Sequence, residues 1–467
     1  MLLPHILFAT IYRSYQETWK KVICPSTEAV TIFWREMAAG GNPNLTTELT
    51  NRKNYKSGCI PICLHGDGVP VSGIGKGWVH TVTSFSWYSL LTTSAPTADS
   101  LFFICALYDK LRRQGKDLDA TGHHFLFILK WSFEALFEGK WPSRDYLGQP
   151  FPSASTSGRR AGQALAGGFY ATLWAVVGDL DYFASVLDVA RSTNAASPCC
   201  RCKASKWGDQ TWQDFRPTAA WMSTVFSPTT WRALPADAKS TCPLFSMAAT
   251  SICILGYDFM HSKYLGADKT LYASILYLLV FHLMPGPDEQ ANLDTLWAEI
   301  KALNKSWGIE TGFRYLNRIS MFWRPAAKLL VLRGKAAEIR SLARPLLTLW
   351  GRYMSEAVSV HKKIHVLLKL NCRLEELLDL HKYAYRFPPK DAANFRDSMN
   401  GFLLLQSQLC QHFADHDPQL FRLTEKSHFL QHLAMEAKFV NPRLIWCFSG
   451  EDFQRIALHM QFERHRL

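Results

Sequence analysis

The sequence has no run of about 20 apolar residues, the length a bilayer-crossing helix needs. Two uncharged stretches come nearest. Residues 77–98 are crowded with Ser and Thr, and residues 240–257 contain Pro243 and several hydroxyls. Neither reads as a span, so no membrane is expected. A secretory leader is also missing: the apolar start is broken by His5 and followed by Arg13, Lys20 and Lys21. There is no G-x-S-x-G and no H-E-x-x-H, which leaves nucleophilic hydrolase chemistry without support. Gly73-Ile74-Gly75-Lys76-Gly77 lacks the spacing of a phosphate-binding loop and reads as a hairpin turn. No repeat of fixed period is found. Residues 1–57 carry no paired Cys and His of the kind that would make a DNA-binding zinc finger.

Acidic residues are the scarcer charge, with Asp+Glu 39 against Lys+Arg 52 and a net charge of +13. That excess favours a polyanionic partner through phosphate neutralisation. The 467 residues, 48% of them hydrophobic, suffice for two or three domains, or for one large α/β domain with an insertion. Sixteen Trp and 29 Phe exclude a disordered chain. Most of the 12 cysteines sit singly in apolar runs and read as small buried hydrophobes of a reducing compartment. Cys199-Cys200-Arg201-Cys202 is the exception.

Along the chain, residues 13–38 have helical spacing and residues 40–57 read as a linker. A short apolar run, Cys59 to Leu64, then ends in His65-Gly66-Asp67-Gly68. Residues 78–91 and 101–107 are rich in β-branched and aromatic residues, so three strands in a meander are predicted. A helix is predicted over 123–137, a Pro/Gly/Ser loop over 146–160, and a fourth strand from Phe169 to Val177, closed by Gly178-Asp179. Strand, strand, strand, helix, strand, helix is the order of an RNase H-like core. From Lys269 onward the chain reads as helical, with Leu at i, i+3, i+4 spacing in 335–354 and 361–385. Pro345 is expected to kink or split the first of these. The fold class expected is therefore α/β: a mixed sheet of RNase H-like order, interrupted by a large all-helical insertion. The divisions are 1–57 (helix and linker), 58–270 (core), 271–425 (insertion) and 426–467 (the rest of the core).

Two strand-end acids carry the chemistry in this reading. Asp67 stands between two glycines that let a ligand approach the backbone, although Asp-Gly is also a common turn dipeptide. Asp179 ends the fourth run, where it also suits the role of a helix cap, and Asp181 is its rival. In neighbouring strands, two such carboxylates can share divalent metals about 3.5–4 Å apart, the arrangement that clamps the attacking and leaving oxygens of a phosphodiester. Hard oxygen ligands suit Mg²⁺ or Mn²⁺. Cys199 and Cys202 form a C-x-x-C, a spacing that zinc sites, redox sites and chance all produce. On one helical turn, Asp258 and His261 would share a face. His261 would then be a third zinc ligand, with Asp258 either the fourth or the group that orients the imidazole.

Gly178-Asp179, Cys199-x-x-Cys202 and Asp258-x-Met260-His261-x-Lys263 together resemble the CACTA and Plavaka-like group of DDE transposases. The resemblance covers roughly residues 58–455 and is most specific at 258–266. It implies a third acid beyond a long helical insertion, after paired histidines and an aromatic-rich run. His428 and His432, then Trp446-Cys447-Phe448-Ser449-Gly450-Glu451, match that description, so the resemblance assigns the role to Glu451. The distance from acid to first cysteine favours Asp181 as second acid; the position at the end of the apolar run favours Asp179, which is ranked first. The resemblance implies metal-dependent phosphodiester cleavage and strand transfer on two Mg²⁺ or Mn²⁺ ions, a structural Zn²⁺, double-stranded DNA as partner, a homo-oligomer and a nuclear location. Arg159, Arg160, Lys203, Lys206, Lys362 and Lys363 are candidates for backbone contacts. Asp452 departs from the basic residue the family carries after its Glu. With few residues after Glu451 and no zinc finger before Asp67, a truncated or decayed element copy is expected. The rival expectation is a non-catalytic, transposon-derived protein that binds DNA or chromatin.

Overall fold

A strand buried on both faces has no use for polar residues, and Cys59 to Leu64 contains none. In the computed structural model this run opens β1 (Cys59–Pro70), the centre of a five-stranded mixed sheet. The structure describes residues 1–70, 80–93, 97–113, 120–189, 196–309, 313, 315–415, 417 and 419–452. The glycine-rich turn at 73–77 lies outside them. The other strands are β2 (Thr81–Ser89), β3 (Phe102–Tyr108), β4 (Tyr170–Val177) and the two-residue β5 (Leu255–Gly256). Their order across the sheet is β3-β2-β1-β4-β5. β1 pairs antiparallel with β2 and parallel with β4; β2 pairs antiparallel with β3, and β4 parallel with β5. Every residue of β4 is buried, as a strand covered on both faces requires.

The helix Ala120–Glu138 connects β3 to β4 and packs on β4. The amino-terminal residues, expected as one helix and a linker, instead make three helices, Pro4–Ser14, Gln16–Val22 and Thr27–Gly40, and two single turns, Thr47–Thr50 and Tyr55–Gly58, where the linker was expected. The break before the third follows from its cap: Ser26 accepts the N–H of Ala29, and Pro25 cannot continue the preceding helix. This segment belongs to the core. The Trp34 indole donates to the Cys59 carbonyl at 2.8 Å and packs edge-on against Trp174 of β4.

The helical part comprises Asp268–Leu278, Glu289–Ser306, Ala336–Arg340, Ala343–Tyr353, Ser359–Leu380 and Pro389–Phe413. Pro345 does not kink a helix. It sits in the first turn of Ala343–Tyr353, where its missing N–H costs nothing, and the break falls just before it at 341–342. A buried polar knot joins this part to the segment that follows β5. Lys263 donates to Asp268 at 2.7 Å, while Tyr264 and Arg340 bind Glu375 of Ser359–Leu380 at 2.9 and 2.7 Å. The helix Glu425–Glu436 then returns the chain to the sheet with nearly every side chain buried. No helix of the described residues is long and apolar enough to cross a membrane.

Candidate metal centres

β1 and β4 are parallel neighbours whose last pair is His65 with Val177. Beyond it β4 ends and the chain goes on as Gly178-Asp179, while β1 runs on to Pro70, so Asp67 is not at a strand end as expected: it is still paired with Ser84 of β2, two residues past the last β1–β4 pair. The Tyr182 ring lies across both glycines. A Cβ on Gly66 or on Gly178 would collide with that ring, and one on Gly178 would also meet the Gly66 carbonyl. Asp179 Oδ1 accepts the Tyr182 N–H at 2.6 Å and caps the helix Leu180–Val186. Its two readings, strand-end acid and helix cap, therefore hold together. Asp181 is exposed on the first turn of that helix.

Glu451 reaches the same place from the other end of the chain. It lies on a helical turn, 448–452, and donates its N–H to the Cys447 carbonyl. The turn is fixed from two sides. Cys447 N–H donates to Asp258 Oδ1 at 2.8 Å, and Gly450 rests on the buried His65 so closely that a Cβ would overlap the imidazole. His261 Nε2 is 3.4 Å from Glu451 Oε1, and its Nδ1 is 2.6 Å from Asp258 Oδ2.

Electrostatics register the convergence. Burial, then the charge of Asp179, push the Asp67 carboxyl up to about 7; Glu451 adds to this and His261 opposes it. Glu451 is raised by burial and by Asp258, Asp452 and Asp179, against His261. Burial alone would raise Asp258, but its hydrogen bonds and the His261 charge hold it below the usual carboxylate range. His261 is raised despite burial, chiefly by Asp258. Carboxylates that repel one another at a partly open strand end are what a divalent cation neutralises.

Asp258 and His261 are not on the cysteines, as the helical-turn argument expected. Asp258 precedes the π-helical segment Met260–Ala267 and accepts the N–H groups of Met260 and His261, the His261 ring and Cys447 N–H. A carboxylate with four donors already aimed at it serves as a local cap. With His261 and Cys447 it forms a separate group.

The cysteines are met instead by His428 and His432 of Glu425–Glu436, one helical turn apart. Cys199 Sγ is 3.4 Å from His432 Nε2, Cys202 Sγ is 3.4 Å from His428 Nε2, and the two Nε2 atoms are 3.2 Å apart. A tetrahedral zinc with bonds of about 2.3 Å to sulfur and about 2.0–2.1 Å to nitrogen sets S···N near ~3.6 Å and N···N near ~3.3 Å. The four donors, all buried, could hold a metal such as zinc. Without one, two imidazoles and two thiols face each other with few protons to share, and His428 Nδ1 has no hydrogen-bond partner. Trp221 seals the cluster, its ring 4.3 Å from that of His428. Beside it, Arg201 donates to Glu436 at 2.7 Å in a buried ion pair. Cys200 lies outside the group.

Sequence reasoning missed His65, Tyr182, Gly450 and the ligand role of the two histidines. Only the last had a readable signal: H-x-x-x-H on a helix puts both rings on one face. Gly450 yields a direct test. Gly450→Ala must push the 448–452 turn off His65, and overpacking of this kind costs about 1–3 kcal/mol. A lower melting temperature is expected, and an Ala variant as stable as the parent would contradict the packing described.

No protein-family model matches this chain, and no curated protein is significantly similar to it.

Proposed function

We propose that this chain is a metal-dependent DNA strand-transferring enzyme of the DDE transposase kind, built on an RNase H-like core. One observation supports the reading: Asp67, Asp179 and Glu451, separated by most of the chain, come near enough that Asp179 and Glu451 raise the Asp67 carboxyl and Asp179 raises that of Glu451. A five-stranded mixed sheet in the order β3-β2-β1-β4-β5, with a large helical part before Glu451, supports it. On this reading the partner is double-stranded DNA, the compartment the nucleus and the working form a homo-oligomer.

Asp67, Asp179 and Glu451 would hold two Mg²⁺ or Mn²⁺ ions. Such ions lower the pKa of a water or a 3′-hydroxyl and neutralise the leaving oxygen. Asp179 is ranked before Asp181 as the second acid, since its charge bears on both Asp67 and Glu451. The Asp258–His261 pair holds Glu451 in place, and Cys447 N–H fixes the turn beneath it. Lys426, mostly buried and within reach of the Asp179 and Asp258 charges, supplies a cation beside the acids. Cys199, Cys202, His428 and His432 hold a structural Zn²⁺.

The test is nicking of duplex DNA, and joining of its ends to a second duplex, in Mg²⁺ or Mn²⁺ and in their absence. Metal-dependent products support the reading. DNA binding with no nicking in either metal overturns it in favour of a non-catalytic DNA-binding protein.

A pH dependence follows as well. The Asp67 carboxyl rises from its ordinary 3.8 to about 7 in the folded protein. Between those values the folded state binds more protons than the unfolded one, so metal-free stability falls as pH rises, by up to about 1.4 kcal/mol per unit. The raised His261 acts in the same direction at higher pH, since its charged form is the one stabilised. Thermal melts should therefore show Mg²⁺ stabilising the protein more at pH 8 than at pH 5. Asp67→Asn should flatten the difference, and an equal Mg²⁺ effect at both pH values would remove Asp67 from the metal site.

A further inference from the structure

Along the helix Ala120–Glu138 the chain builds a second charged surface. Residues 139–169 run for about thirty positions with one short helix, Thr156–Arg160, yet they are locked into shape. Lys140 bridges Ala164, Arg144 bridges Pro150 and Ala166 bridges Phe169. The Trp131 indole of Ala120–Glu138 donates to the Arg144 carbonyl at 3.0 Å. A loop this long that folds against its own scaffold is more often functional than connective. Between it and the helix lies a groove of about 520 Å³ whose lining includes Phe127, Trp131 and Tyr146.

The acids of this face are already engaged. Glu134 pairs with Lys130 at 2.6 Å and Glu138 with Arg52 at 3.6 Å, while Asp145 accepts the N–H groups of Leu147 and Gln149. Arg13, Lys140, Arg144, Arg159 and Arg160 are all exposed, and among the described residues none pairs with a carboxylate. Arg13, Arg144 and Arg159 donate to the backbone carbonyls of Ala164, Gly148 and Ala154. Arg13 and Arg160 also lie over the Trp141 ring, 5.6 and 5.2 Å from its centre. Guanidinium groups held by carbonyls and a ring keep their full charge and part of their donor set for an outside anion, and they are already ordered.

We infer that this loop face binds the phosphodiester backbone of double-stranded DNA at a place separate from the acids. It leads into the amino end of β4 and lies along the helix Ala120–Glu138, where Tyr146 meets His124, whereas Asp179 follows the carboxyl end of β4. The choice of DNA as the polyanion rests on the reading proposed above; the face itself rests on its geometry.

The experiment measures binding of the full chain to a 30-base-pair duplex of arbitrary sequence across a salt series, without added Mg²⁺. Each lost phosphate contact lowers the slope of log affinity against log salt by about 0.9. The triple variant Arg144→Ala, Arg159→Ala, Arg160→Ala is expected to lose about 2–3 from the slope and at least tenfold in affinity at 0.1 M salt. The matching triple Lys variant should keep the slope to within about 1. An unchanged slope in the Ala variant, or no duplex binding by the parent chain, overturns this face. The outcome is independent of nicking: nicking retained with an unchanged slope removes the face alone, and a changed slope without nicking keeps the face and removes the enzyme.

Discussion

Asp67→Asn, Asp179→Asn and Glu451→Gln are each expected to reduce metal-dependent nicking by about three powers of ten while duplex binding persists. Each removes a charge and keeps the shape. A metal that stabilises the charge developing in phosphoryl transfer contributes several kcal/mol, and about 4 kcal/mol corresponds to a factor near 10³. The amide at 179 matters for the logic. Asp179 also caps the helix that carries Tyr182, and Asn caps about as well as Asp. Asp179→Asn thus isolates the metal role, where Ala would disturb the Tyr182 ring and both glycines beneath it. Asp181→Asn, on an exposed first turn, is expected to nick at close to the parental rate. Parental nicking by Asp67→Asn or Glu451→Gln would remove the three-acid site, and a large loss in Asp181→Asn with none in Asp179→Asn would exchange the second acid. At limiting Mg²⁺, activity should also fall as the pH drops, because protons compete with the metal for the raised Asp67 carboxyl.

The strands were legible because burial on both faces leaves a plain mark. Cys59 to Leu64 and Phe169 to Val177 contain no charge; β4 stops just before its glycine-acid step, whereas β1 runs through its own to Pro70, because β2 goes on pairing with it there. The mixed α/β character and the large helical part followed from the same patterns. The segment 199–256 was not legible. It is mostly irregular, and its one strand, β5, has two residues, too few for any period to show. Asp258 and His261 misled for a physical reason. Three-residue spacing fits a shared ligand face, but it equally fits a cap whose carboxylate takes the N–H and the imidazole of the residue three positions on, and sequence does not distinguish them. The histidines that do face the cysteines lie 226 and 233 residues beyond them. Nothing local announces contacts at that separation. Glu451 came only through resemblance, because one carboxylate near a chain end has no signature of its own.

Loss of the Cys/His metal is expected to have the larger structural effect. Stripping the protein with a zinc chelator, or exchanging Cys202 for Ser, should lower the melting temperature by more than about 10 °C or prevent folding. Four buried polar groups would then be left without a common partner, at about 1–3 kcal/mol each. Structural zinc supplies on the order of 10 kcal/mol in small domains that depend on it. The cluster also joins the loop after β4 to the helix Glu425–Glu436. That helix leads into the turn that carries Glu451, so the third acid should be lost along with the fold. Zinc content separates the two ligand sets. It should stand at about one atom per chain in the parent and in His261→Ala, and fall in Cys202→Ser and His432→Ala. Zinc lost from His261→Ala but kept in His432→Ala would return the ligand role to the Asp258–His261 pair and leave the two buried histidines without an explanation.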